Sequence, residues 1–153
     1  MGESNMKRSQ AILRMPVDMV DAVMVLHDGD RSDVLLFVPP SEDIARVISE
    51  GSAFLPVMRD AAICFVARQA IACVGVTPDL APKLDEDFPS EQEQVKVTLR
   101  SGMVLEGYLR WIAPPGMRRT ADHLNSDVTQ FVLHATDRAW IISKAHVVMV
   151  REQ

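Results

Sequence analysis

The two halves of this chain repeat one order of landmarks, and nothing else in the sequence narrows the possible folds as much. The segment DAVMVLHDGDRSDVLLFVPP, residues 21–40, aligns with QVKVTLRSGMVLEGYLRWIAPP, residues 94–115. The match sets Leu26 on Leu99, Gly29 on Gly102, and Pro39 and Pro40 on Pro114 and Pro115. Further on, SAFLPVMRDAAICFVARQAIACVGV aligns with TQFVLHATDRAWIISKAHVVMVRE. Phe54 falls on Phe131, Asp60 on Asp137 and, after one deleted residue, Ile71 on Val147. A repeat of this length means that one supersecondary unit is built twice.

Inside each copy the apolar residues recur every second position. Val95, Val97 and Leu99 share one face while Lys96, Thr98 and Arg100 share the other, the pattern of a half-buried strand. The turns His27-Asp28-Gly29-Asp30 and Arg100-Ser101-Gly102-Met103 each place a glycine where a tight hairpin needs positive φ, so each copy opens with a hairpin. Gly107 lies inside the following strand, where a missing side chain marks a bend or a close backbone approach. Bending of that kind predicts a small closed barrel. Further strands are predicted over 53–59, 62–67, 71–76, 128–135, 138–143 and 147–151, with ARQA and SKAH as single helical turns before the last strand of each copy.

In the first copy SEDIARVISEG predicts a short helix, with Ser41 as N-cap, Ile44, Val47 and Ile48 on one stripe and Gly51 as the stop. The second copy has GMRRTADHLNSD in its place, where Thr120 caps at most one turn ending near Asn125. Between the copies, residues 77–93 hold three prolines and six acids against one lysine, a composition that reads as a linker. The predicted organisation is an N-terminal arm over 1–17, a first barrel over 18–76, the linker over 77–93, and a second barrel over 94–153. The fold class is mainly β: two tandem five-stranded barrels with one short inserted helix.

Strand, tight turn, glycine-bearing strand, variable insert, two strands, one-turn helix and last strand is the order of the Sm-like and SH3-like small barrels, and VTLRSGMVLEGYLRWI resembles the first Sm motif. The RRTADHLNSD insert also resembles that of bacterial small-barrel domains that stand alone or are appended to signalling proteins. Sm proteins that bind uridine-rich RNA share an Asp-to-Asn pair and an Arg-Gly pair. Here Asp122 and Asn125 offer a shortened first pair, and Ser143-Lys144 stands where Arg-Gly is expected. Half of that RNA pocket is missing.

Lys plus Arg number 16 against 21 Asp plus Glu, a net charge of -5, so no global field draws nucleic acid or anionic lipid. The charge is uneven: the second copy is net basic, while the first copy and the linker are acidic. No apolar run reaches the length of a membrane span, and the predicted setting is cytoplasmic, without a membrane partner. Cys64 and Cys73 sit in apolar stretches and read as buried reduced thiols. The four histidines fall on separate elements without metal-ligand spacing, and Asp28, Asp30 and Asp33 lack the longer ligand series of a calcium loop. No metal or cofactor is expected.

No nucleophile elbow, Walker loop or GxGxxG occurs. The expectation is a non-enzymatic protein–protein interaction or adaptor module, with a protein partner and scope for homo-oligomers. The alternative is an Sm-like RNA binder using the basic second copy, with Arg118, Arg119, Arg138 and Lys144 on phosphates. Arg118, Arg119, Asp122, His123 and Asn125 form the candidate partner-binding cluster, because loops on a rigid scaffold are where binding residues concentrate. The competing structural reading pairs an arginine with Asp122 across one turn and ends that turn at Asn125.

Overall fold

The structure, a computed structural model, describes residues 17–153; residues 1–16 of the expected N-terminal arm lie outside the described residues. The first copy folds as β1 (Asp18–Leu26), β2 (Arg31–Val38), helix α1 (Ile44–Ser49), β3 (Phe54–Arg59), β4 (Ala62–Ala67) and β5 (Ile71–Val76). The second folds as β6 (Ser90–Leu99), β7 (Val104–Ile112), helix α2 (Thr120–Leu124), β8 (Gln130–His134), β9 (Ala139–Ser143) and β10 (Val147–Glu152). A 3-10 turn precedes the last strand of each copy, at Arg68–Ala70 and at Lys144–His146. Another, Pro78–Leu80, begins the connection, and β6 starts at Ser90, inside the span that composition marks as linker.

All ten strands form one antiparallel sheet in the order β10-β6-β7-β8-β9-β5-β1-β2-β3-β4. This corrects the expectation of closed barrels: among the described residues no ladder joins β4 to β5 or β9 to β10, so the sheet stays open. The halves meet where β5 pairs with β9 through Cys73↔Ile142, Val74↔Ile141, Gly75↔Trp140 and Val76↔Ala139.

Two hydrophobic cores lie on opposite faces of this sheet, and each takes side chains from both copies. Along β1, Ala22 and Met24 enter the first core while Val23 and Val25 enter the second. On β5, Val74 and Val76 face the first and Ala72 and Cys73 the second. Along β9, Ala139 and Ile141 join the first core, Trp140 and Ile142 the second. These strands are therefore apolar on both faces, as strands covered on both sides must be. At the seam Gly75 makes room for its neighbour, since a Cβ there would sit 2.8 Å from the Trp140 ring.

Pairing inside the hairpins also refines the repeat. Phe54↔Ala67 in β3–β4 corresponds to Gln130↔Ser143 in β8–β9, a constant offset that sets Leu55, not Phe54, on Phe131. Leu55 and Phe131 are both buried, whereas Phe54 is exposed. The Phe-to-Phe and Asp-to-Asp identities are one residue out of register, and burial rather than identity carries the match.

Local signals place most turns as read. Gly29 and Gly102 have φ of 89° and 92° in the two opening hairpins. Gly107 meets the backbone of β8, where a Cβ would fall 2.3 Å from the His134 carbonyl oxygen. Helix α1 is capped by Asp43, whose carboxylate accepts from the Ala45 N–H at 3.0 Å, in place of the expected Ser41. Ile44, Ala45 and Ile48 bury its inner face, with Val47 packed at the margin. A second short helix, α2, occupies the insert of the second copy, and residue 119 rather than Thr120 stands at its N-cap.

Candidate functional site

The insert cluster is tied mostly to itself. The Asp122 carboxylate accepts from the Arg119 backbone N–H at 3.0 Å, and the Arg119 guanidinium lies 3.5 Å away across the first turn of α2. That backbone bond first, and the guanidinium with it, holds the Asp122 carboxyl below its ordinary value. Asn125 ends the helix, its N–H bonding the Ala121 carbonyl at 2.9 Å. His123 stacks on the buried indole of Trp111, ring centroids 5.0 Å apart and 7° from parallel. Burial, and then the charge of Lys144, lowers the His123 pKa. Lys144 Nζ in turn donates to the Ser126 carbonyl at 3.0 Å, fastening the insert to the 3-10 turn. Arg118 stays exposed. The structure thus brings Arg119 together with Asp122, sets His123 on Trp111, and leaves Arg118 facing solvent.

A second site was not visible in the sequence. A half-open cleft of about 740 Å³ lies at the seam, between the two 3-10 turns that precede β5 and β10. His27 and Arg100, from equivalent opening turns, line it with Arg68, Gln69, Ile141 and His146. The turns are cross-linked: His146 Nε2 lies 2.8 Å from the Gln69 carbonyl oxygen and donates to it, and Arg100 Nε donates to the Ala145 carbonyl at 2.7 Å. Arg68 donates to the Val47 carbonyl at 3.0 Å and to the Ser52 carbonyl, pinning α1 against the turn. Its Nε is buried without a hydrogen-bond partner among the described residues.

Among the described residues two arginines and two histidines line this cleft and no carboxylate does, in a chain whose net charge is -5. Its floor is apolar, with Ile71, Ala72 and Ile141. Such a surface suits an anion with an apolar body. The separation of these residues along the chain hid the site. His27 stands where the other copy has Arg100, and the two side chains share one cleft.

The remaining candidates have structural duties. Asp30 forms an ion pair with Arg59 at 3.0 Å, and Asp28 accepts from the Asp30 N–H, so the acidic run builds a turn. Among the described residues no group of three or more His, Cys, Asp or Glu is placed to hold a metal ion. Cys73 is buried at the seam and burial pushes its thiol up to about 12, while Cys64 is half-buried on β4. Among the described residues no helix is long and apolar enough to cross a membrane.

The edges of the sheet complete the inventory. Among the described residues β4 has no further partner; it carries no charged residue over Ala62–Ala67 and exposes Phe65 at 64%. β10 ends the other side and exposes Val148 and Met149. Comparison with protein-family models, curated proteins and solved structures finds no match to this chain.

Proposed function

We propose that the protein is a non-enzymatic protein–protein interaction module that takes partner strands at the free edges of its sheet. The observation that carries this reading is β4, an uncharged strand with no partner on its outer side among the described residues, with Phe65 exposed on it and Phe54 exposed on the neighbouring β3. Unpaired edge N–H and C=O groups are a template for another strand, and proteins that leave an edge without a partner ordinarily blunt it with charge, proline or a bulge. β4 has none of these; the proline of this hairpin, Pro56, is on β3. In strand addition the main-chain bonds supply affinity and side-chain pockets supply selectivity.

The test is affinity capture from the host lysate with wild type and Phe65→Lys, each with and without ribonuclease. Stoichiometric protein partners that survive ribonuclease and are lost with Phe65→Lys are the expected result. Equal recovery by both proteins, or RNA with no protein that outlasts the nuclease, overturns it. The cleft, which no carboxylate lines among the described residues, favours a second reading as an RNA binder, with Arg118, Arg119, Arg138 and Lys144 as the candidate phosphate contacts. Its mark is affinity that falls steeply with salt, in proportion to the phosphates neutralised.

A further inference from the structure

The seam inside the molecule is a worked example of how its own free edges fit together. In the repeat, β4 corresponds to β9 and β10 to β5, and β9 and β5 are the two strands that pair at the centre of the sheet. The ladders agree in detail. Leu26↔Ile71 and Val25↔Cys73 flank a register shift in the first copy, as Leu99↔Val147 and Thr98↔Met149 do in the second. The edges are therefore the same two surfaces as the seam, left uncovered among the described residues.

Exposure at equivalent positions shows what is missing. Ile141 on β9 is 2% exposed, and its counterpart on β4, Phe65, is 64% exposed. Ala72 and Cys73 on β5 are each 1% exposed, and their counterparts on β10, Val148 and Met149, are 62% and 55% exposed. Each large apolar side chain left bare on an edge stands where the seam buries an apolar residue.

Resting on the reading of β4 and β10 as docking edges, we propose that the strand each accepts is a second copy of this chain: β4 of one molecule pairs antiparallel with β10 of the next. The seam fixes the register. Cys73↔Ile142 becomes Met149↔Val66, Val74↔Ile141 becomes Val150↔Phe65, and Gly75↔Trp140 becomes Arg151↔Cys64. Phe65 of the arriving molecule covers Val150 and extends the second core, as Ile141 extends the first. Four positions are more polar than in the seam, with Arg151 where Gly75 stands, Glu152 where Val76 stands, Lys96 where Val23 stands and Thr98 where Val25 stands. Edge charges of this kind weaken strand addition, so the junction is reversible, unlike the seam. The contact is head to tail, and it closes into a ring or runs on as a filament according to the rotation per step.

The register supplies the trap. Arg151→Cys places a thiol opposite the native Cys64 of the next molecule, at the Cα spacing that directly opposed residues of an antiparallel pair and disulfides share. Mild oxidation of this variant is expected to yield a covalent ladder extending beyond the dimer on non-reducing electrophoresis. The Cys64→Ser/Arg151→Cys protein stops at the dimer. Sedimentation velocity of the unmodified protein is expected to show mass rising with concentration, and Phe65→Lys to remain monomeric while keeping its circular dichroism spectrum. A wild type that stays monomeric at every concentration, with no ladder from Arg151→Cys, overturns the proposal. If those same preparations still capture other proteins through β4, the edge-docking function stands and only self-pairing fails.

Discussion

Ile141 and Ile142 are neighbours on β9 whose side chains enter opposite cores, so truncating each in turn tests whether the two copies unfold as one body. Both are almost fully buried. An Ile→Ala change at such a site costs about 2–5 kcal/mol, the lost transfer energy plus the cavity left behind. For a domain of this size each kcal/mol moves Tm by about 2–4 °C, so each variant is expected to melt about 10 °C below wild type. The cooperative unit is read from the transition enthalpy. The 137 described residues correspond to about 95 kcal/mol near 60 °C at the usual 0.7 kcal/mol per residue, and one copy alone to roughly half that. Differential scanning calorimetry of wild type, Ile141→Ala and Ile142→Ala is expected to give a single transition each. The van't Hoff and calorimetric enthalpies agree in all three. Two resolved transitions in the wild type refute the shared-core argument. So does an Ile142→Ala endotherm in which half the heat moves and half stays.

Three further outcomes follow from particular contacts. Gly107→Ala forces a Cβ into the His134 carbonyl at the single paired position between β7 and β8; overpacking and a lost ladder bond together are expected to cost about 3–4 kcal/mol, read as a lower urea midpoint. Gly102→Ala is the control, since its Cβ meets nothing within 4 Å and only backbone strain is added. In thiol titration Cys64 reacts first, and Cys73, whose pKa is pushed up to about 12, reacts at the rate of global unfolding; equal rates contradict the seam burial. The folded pKa of His123 lies below its ordinary 6.5, so the unfolded chain binds more protons over that interval. Its contribution to stability is therefore present above 6.5 and lost as pH falls toward the folded value. His123→Phe, which keeps a ring on Trp111, is expected to flatten that part of the urea midpoint against pH, and an unchanged slope refutes the assignment.

Most strand limits were legible to within two residues because alternation and turn glycines are local signals. The joining of the two copies was not, since period-two logic treats every strand as half-buried. One trace was present: IACVGV and AWII carry no charge on either face, the composition of strands covered on both sides. The closed barrels failed for the same reason, as β5 and β9 pair with each other instead of each closing its own copy. The helix cap moved from Ser41 to Asp43 because Pro39–Glu42 first form a turn of their own, closed by the Glu42 N–H bond to the Pro39 carbonyl at 2.9 Å. At the insert, the pairing of Arg119 with Asp122 and the stop at Asn125 were readable from spacing alone. The stacking of His123 on Trp111 was not, because it joins elements whose approach depends on the tertiary fold. The seam cleft was beyond sequence reading altogether, its walls coming from hairpins, turns and strands more than a hundred residues apart.

The seam also changes what the stretch between the copies is for. Two bodies held only by a tether drift apart when it is cut, but here β5 and β9 are already bound by a ladder and by two cores that both copies fill. The acidic segment is then a device of synthesis more than of architecture. It keeps the later-made copy at high effective concentration beside the earlier one until the seam forms. After that, a single cut at exposed Lys83 leaves two chains and one molecule.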